Sequence, residues 1–201
     1  HEWEIPEGEQ KTQYLEQEAK SLVNKVESPD VNMFYSMNPY QGCEHGCIYC
    51  YARNSHEYWG YSAGLDFESR IIVKKNAPEL LRHFLLRRSW VCKPISISGN
   101  TDCYQPAEKK YRLTRRLLEI CREFHQPVGI ITKNALVLRD RDVLADLAAK
   151  KLASVVVTIT SLTESTRRLM EPRTTTAQQR LRTLRELNEA GVNTGVMIGP
   201  V

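Results

Sequence analysis

Three cysteines fall within eight residues, in Cys43-Glu-His-Gly-Cys47-Ile-Tyr-Cys50, at spacings of four and then three. Thiolates are soft donors that suit iron–sulfur clusters or zinc. The chain has six cysteines, enough for disulfides in a secreted fold, but this clustering argues for metal binding instead. A structural zinc site needs four protein ligands, and His45, His56 or another cysteine stands near enough in sequence to supply the fourth. A cubane cluster held by only three cysteines leaves one iron without a protein ligand. That open position is what a catalytic metal site needs.

The loop has to be carried by a regular frame. From Val31 onward, short apolar runs rich in β-branched and aromatic residues alternate with helical patterns. Strands are expected at 32–37, 95–98, 128–132, 155–160 and 194–198, with helices at 77–88, 109–124, 140–150 and 176–190. Leu113, Leu117, Cys121 and Phe124 share one helix face, Asp140 reads as a helix cap and Gly191 as a helix stop. Residues 1–30 are polar, and Tyr14, Leu15, Ala19, Leu22, Val23 and Val26 give a helical period, so a peripheral helix is expected before a core spanning 31–201. Strands alternating with helices predict an α/β fold with a parallel sheet. A closed eight-unit barrel needs roughly 250 residues, so five units predict a partial (β/α) barrel or an open doubly wound sheet. Gly199-Pro200-Val201 falls at the end of the last strand, which reads as a barrel truncated at its C-terminus. Ligands of either fold bind at the carboxyl ends of the strands, where the loops at 38–50, 99–106, 133–134 and 161–163 lie.

An aromatic, Tyr49, directly precedes the last cysteine of a CxxxCxxC loop that follows the first strand of an α/β repeat; this resembles the radical SAM superfamily. Within it, Asn38-Pro39-Tyr40-Gln41-Gly42-Cys43, Tyr51-Ala52-Arg53 and Thr101-Asp102-Cys103-Tyr104-Gln105-Pro106 resemble the branch related to spore photoproduct lyase, over residues 32–201. The resemblance implies a [4Fe-4S] cluster on Cys43, Cys47 and Cys50 whose open iron chelates S-adenosylmethionine. Reductive cleavage of that cofactor yields a 5'-deoxyadenosyl radical, with a flavodoxin or ferredoxin as the electron donor. It further implies that Tyr49 lies near the adenine and that Ser98, Thr101 and Asp102 lie near the cofactor's amino group. Lys133 is either at the cofactor carboxylate or a surface lysine in a turn. Ser161 is either a cofactor contact or a helix cap, and Arg173 either a cofactor contact or an ion-pair partner of Glu171. Cys103 is a candidate catalytic hydrogen-atom donor, a ligand to another centre, or a small packing residue. The lyase's own donor cysteine precedes the Thr-Asp pair, where this sequence has Gly99 and Asn100.

The remaining features are less specific. A net charge of +4 permits an acidic partner such as nucleic acid without requiring one. Arg87-Arg88, Arg115-Arg116 and Arg167-Arg168, with Arg180, Arg182 and Arg185, read as solvated helix faces, phosphate contacts being the alternative. A non-catalytic zinc- or iron–sulfur-stabilised module that binds nucleic acid is therefore the rival to the enzyme. Cys121 reads as core and Cys92 has no assigned role, while His45 and His56 read as bystanders. No apolar run is long enough to span a membrane and the start lacks a secretory pattern, so a cytoplasmic protein is expected.

Overall fold

The β-branched runs of the sequence become strands, and the amphipathic stretches between them become the crossovers. The structure, a computed structural model, describes residues 11–27 and 33–199. Its strands are β1 (Gln13–Gln17), β2 (Val23–Lys25), β3 (Tyr35–Met37), β4 (Tyr40–Gln41), β5 (Arg70–Lys74), β6 (Ile95–Ile97), β7 (Val128–Thr132), β8 (Ala153–Thr158) and β9 (Asn193–Met197). The helices are α1 (Leu65–Ser69), α2 (Ala77–Leu85), α3 (Ala107–Tyr111), α4 (Leu113–Glu123), α5 (Arg141–Ala148), α6 (Glu164–Met170) and α7 (Ala177–Glu189), and 3-10 turns cover Tyr51–Trp59 and Ala135–Asp140.

The main sheet runs β2-β3-β6-β7-β8-β9, with β3 through β9 parallel and β2 antiparallel at one edge. This is the frame of five parallel strands read from the sequence, open rather than closed, with boundaries shifted by a few residues. Asn32, the start of the first expected strand, lies outside the described residues. Met37, Ile97, Ile130, Val155 and Val157 are buried beneath α2, α4 and α5, with Leu81, Leu117 and Leu144 covering them. Parallel register sets Met37 beside Ile97 and Thr132 beside Val157, so the loops that leave these strands emerge side by side.

Three expectations are corrected. The peripheral helix is absent from its described part, which forms β1 and β2. β1 pairs in parallel with β5, setting Leu15 opposite Ile72, and β4 completes this second, three-stranded sheet. The ladder is supplied from more than fifty residues away, and Asn76 adds a side-chain amide that bonds both the N–H and the C=O of Ala19 at 2.9 Å. Helical spacing within the segment could not reveal either partner. The helix expected over 109–124 is broken at Arg112, which has φ 52°. Glu108, fully buried, accepts from the N–H groups of Thr114 (3.0 Å) and Arg115 (3.3 Å), so it caps a second helix that starts inside the apparent one. Asp140, expected to cap α5, makes no capping bond; it is buried between Tyr104, Arg139 and Arg115.

Candidate functional site

β3 leads through β4 into the cysteine loop, and two glycines allow its turns. Gly42 and Gly46 have φ of 76° and 66°, a region costly for residues with a Cβ. A Cβ on Gly42 would stand 2.8 Å from the Phe67 carbonyl oxygen. Cys43 N–H donates to that same oxygen at 2.8 Å, Cys50 N–H to Cys47 O at 3.3 Å, and Ile48 N–H to Met170 O at 3.0 Å. All three cysteines are free thiols; Cys43 and Cys47 are buried and Cys50 half-buried.

The loop is held by charge as well as by backbone bonds. The Glu68 carboxylate receives both Arg53 and Arg173. Arg53 also donates to Cys47 O at 3.0 Å, the Arg173 side chain donates to Glu44 O, and Arg173 N–H donates to His45 O at 3.3 Å. Glu44 is itself pinned, its carboxylate accepting from Ala107 N–H at 2.7 Å and Tyr14 OH at 2.9 Å. A Cβ on Gly46 would overlap the Arg173 guanidinium and stand 2.7 Å from Glu68 Oε2. Gly46→Ala is therefore expected to cost about 1–2 kcal/mol in backbone strain alone and to displace Arg173 as well. Thermal unfolding checks this, and an unchanged melting temperature would contradict it.

Behind the loop, Asp102 ties three elements together. Its buried carboxylate accepts from Tyr104 N–H (2.8 Å), Thr132 Oγ1 (2.8 Å) and Lys133 N–H (2.7 Å), and lies 3.4 Å from His45 Nδ1. Burial alone would raise this carboxyl, but His45 and the N–H donors hold it down at about 2. Ser98 Oγ accepts from Cys103 N–H at 2.8 Å, and Thr101 Oγ1 donates to Tyr40 O at 2.8 Å.

The opposite wall comes from β7, β8 and α6. Lys133 projects its ammonium to 5.9 Å from the Tyr49 ring centroid, within cation–π range, and it faces Cys47 and Cys50 closely enough to favour their thiolates. Burial pushes the Cys47 thiol the other way, up to about 12. Among the described residues, no carboxylate pairs with Lys133. The Tyr49 hydroxyl donates to Glu171, which is fully buried, also accepts from Thr160 Oγ1 at 2.6 Å, and pairs with Arg180 at 2.6 Å.

The sequence model of the Radical SAM superfamily matches residues 37–201, which begin at the last residue of β3 and include the whole site. The chain belongs to the radical SAM superfamily. Members of this superfamily use a [4Fe-4S] cluster and S-adenosylmethionine. The chain is 37% identical over 183 residues to an uncharacterized protein of Mycobacterium tuberculosis, covering 90% of this chain and 54% of that one. It is 30% identical over 193 residues to an uncharacterized protein of Methanocaldococcus jannaschii, covering 95% and 68% respectively. Among solved structures, spore photoproduct lyase superposes with a TM-score of 0.71 at 16% identity, covering 94% of this chain and 51% of the lyase. The chain thus spans about half the length of the mycobacterial relative and of the lyase.

Measured against expectation, this radical SAM chain brings Cys43, Cys47, Cys50, Tyr49 and Lys133 together. It turns several other residues to internal work. The polar groups of Ser98, Thr101 and Asp102 bond within the protein, and Ser161 Oγ accepts from Thr163 N–H at 3.0 Å in a local turn. Arg173 does not pair with Glu171; it clamps the cysteine loop through Glu68. Cys103 is fully buried in the core, which favours the packing alternative among its three readings. His45 is not a bystander, being 1% exposed between Asp102 and Asn134. Arg115, Arg116, Arg167, Arg180 and Arg182 are all paired with carboxylates, which leaves them poorly placed for phosphate. Sequence reading missed Glu44 and Glu68, and gave Glu171 only as an alternative partner of Arg173.

Proposed function

We propose that this chain binds a [4Fe-4S] cluster on Cys43, Cys47 and Cys50 and is the part of a radical SAM enzyme that cleaves S-adenosylmethionine reductively. One observation carries the reading: three free thiols on a single loop at the carboxyl end of β3, with the Lys133 ammonium facing two of them. The donor set fits. Structural zinc takes four protein ligands around one centre, at about 2.3 Å for sulfur. A cubane presents separate irons to separate thiolates and so accepts a more open set.

When bound, the cluster would supply the electron for reductive cleavage of the cofactor's sulfur–carbon bond. The chain's own residues bind and orient. Lys133 meets the cofactor carboxylate, and Tyr49, its hydroxyl tethered to Glu171, offers a flat face to the adenine. Ser161 borders the cofactor from the β8 side, while Ser98, Thr101, Asp102 and Arg173 act as positioning residues. Cys103 is sealed in the core and Gly99 and Asn100 stand before the Thr-Asp pair, so no cysteine donor stands where the lyase-like motif would carry one. That lyase has been solved with a dinucleoside spore photoproduct, and nucleic acid is the substrate class this likeness brings forward. A small flavodoxin- or ferredoxin-type protein is the proposed reductant, and the protein is proposed to work in the cytoplasm; among the described residues no helix is long and apolar enough to cross a membrane.

Anaerobic reconstitution with iron and sulfide, followed by dithionite and S-adenosylmethionine, should give 5'-deoxyadenosine by chromatography. Iron-loaded protein that forms none would refute the reading. Lys133→Gln is expected to keep its iron but to weaken cofactor binding roughly 10- to 100-fold, the worth of a hydrogen bond to a charged group. Equilibrium dialysis with labelled cofactor measures this, and an unchanged affinity would remove Lys133 from the site.

A further inference from the structure

Asn134 determines where the proton sits on a buried imidazole beside Cys43. Its Oδ1 accepts from Leu136 N–H at 2.9 Å, capping the 3-10 turn Ala135–Asp140, so its amide nitrogen faces His45 Nε2 at 3.4 Å. An amide NH2 only donates, so in the neutral ring Nε2 is the acceptor and the proton sits on Nδ1; the protonated ring, which burial opposes but Cys43 and Asp102 favour, carries a proton on Nδ1 as well. This Nδ1–H is buried and, among the described residues, has no hydrogen-bond partner. It lies 3.4 Å from Asp102 Oδ2 without hydrogen-bond alignment, and that carboxylate is already served by Tyr104, Thr132 and Lys133. A buried donor without an acceptor is costly, which marks a place where an acceptor belongs. The Cys43 sulfur borders the same ring.

We propose that His45 is a tuning residue of the cluster, its Nδ1–H donating to the Cys43 thiolate that forms on cluster binding. The inference rests on the cluster reading above. A donor at a ligating sulfur offsets negative charge, and reduction adds one such charge: a single electron from dithionite takes the cluster from the 2+ to the 1+ level, with no bond made or broken in the protein. The hydrogen bond therefore stabilises the reduced state and raises the midpoint potential. Asn134 acts one step further out, fixing the tautomer that puts a donor on Nδ1.

The test uses the reconstituted chain with His45→Leu, which keeps bulk without a donor, and His45→Asn, which places an amide N–H near the position of Nδ1. Iron and sulfide per chain are measured first, then a redox titration is followed by visible absorbance and by electron paramagnetic resonance of the reduced cluster. The expected result is a lower midpoint potential in H45L and a return toward wild type in H45N. Loss of iron from H45L with retention in H45N would equally support the donor. Identical midpoints in wild type and H45L would overturn it, as would loss of iron from both variants, which would make His45 a packing residue. Wild-type protein that takes up no iron would instead overturn the cluster reading and the donor role with it.

Discussion

Cys47→Ala is expected to leave a folded chain that holds no stable cluster and forms no detectable 5'-deoxyadenosine. Cys47 is the middle thiol of the three and stands where the Arg53 bond to its carbonyl and the turn to Cys50 N–H fix the backbone. Truncating one small side chain at the loop costs on the order of 1 kcal/mol of stability. The chemical loss is far larger, because two thiolates leave a second iron without a protein ligand. The sharp comparison is with the cysteines that the structure sends elsewhere. Cys103→Ala and Cys121→Ala each remove a fully buried sulfur from the core and should lower the melting temperature while leaving iron content and product formation intact. Iron assay and chromatography of all three variants decide the matter. Product from Cys47→Ala, or its loss in Cys103→Ala with iron retained, would break the assignment of roles.

What could be read from residues alone divides along a physical line. The parallel frame was legible because Val128–Thr132 and Ala153–Thr158 carry their β preference locally, and because amphipathic crossovers such as α4 and α7 repeat their apolar face every turn. The cysteine ligands were legible because a metal's demands are written into spacing within one loop. What was hidden depends on distant partners. β1 needs β5, and Glu108, by taking the N–H groups of Thr114 and Arg115, makes a helix end that no local pattern announces.

The same line runs through the site. Lys133 and Tyr49 could be placed by their position after a strand and before a cysteine. Nothing local says that Arg173 will reach Glu68, 105 positions away in sequence, or that Asp102 will give every strong contact to the protein itself. The sequence marks these residues as charged and near the motif; only packing tells a ligand contact from a clamp. His45 was set aside for that reason, since a histidine between two cysteines reads as incidental until Asn134 and Asp102 are seen on either side of it.

Arg180→Leu is expected to be the most destabilising single change outside the cysteine loop. The guanidinium is 1% exposed and uses every arm: Nη2 to Glu171 Oε2 at 2.6 Å, Nη1 to Thr158 O at 2.8 Å, and Nε to Thr175 O at 2.9 Å. It thereby joins α7 to the end of β8 and to the turn after α6. Removing it leaves Glu171 buried and without its counter-charge, and breaking a buried pair from one side costs about 3–5 kcal/mol, roughly 6 to 20 °C in melting temperature for a chain of this size. The loss has a pH signature. In the wild type, burial would raise the Glu171 carboxyl, but its bonds from Thr160 and Tyr49 and the charge of Arg180 hold it below its ordinary 4.5. Its contribution to stability is therefore present above 4.5 and fades as pH falls through the lowered folded value. Without Arg180, burial dominates and the carboxyl titrates higher, so the variant differs most from wild type at neutral pH and the two converge in acid. Because the Tyr49 hydroxyl hangs on Glu171, cofactor binding should weaken in step with the neutral-pH instability. Melting curves from acid to neutral pH provide the check. A uniform drop at every pH would mean that Arg180 serves as packing, and a drop under about 2 °C would mean that Glu171 finds another partner.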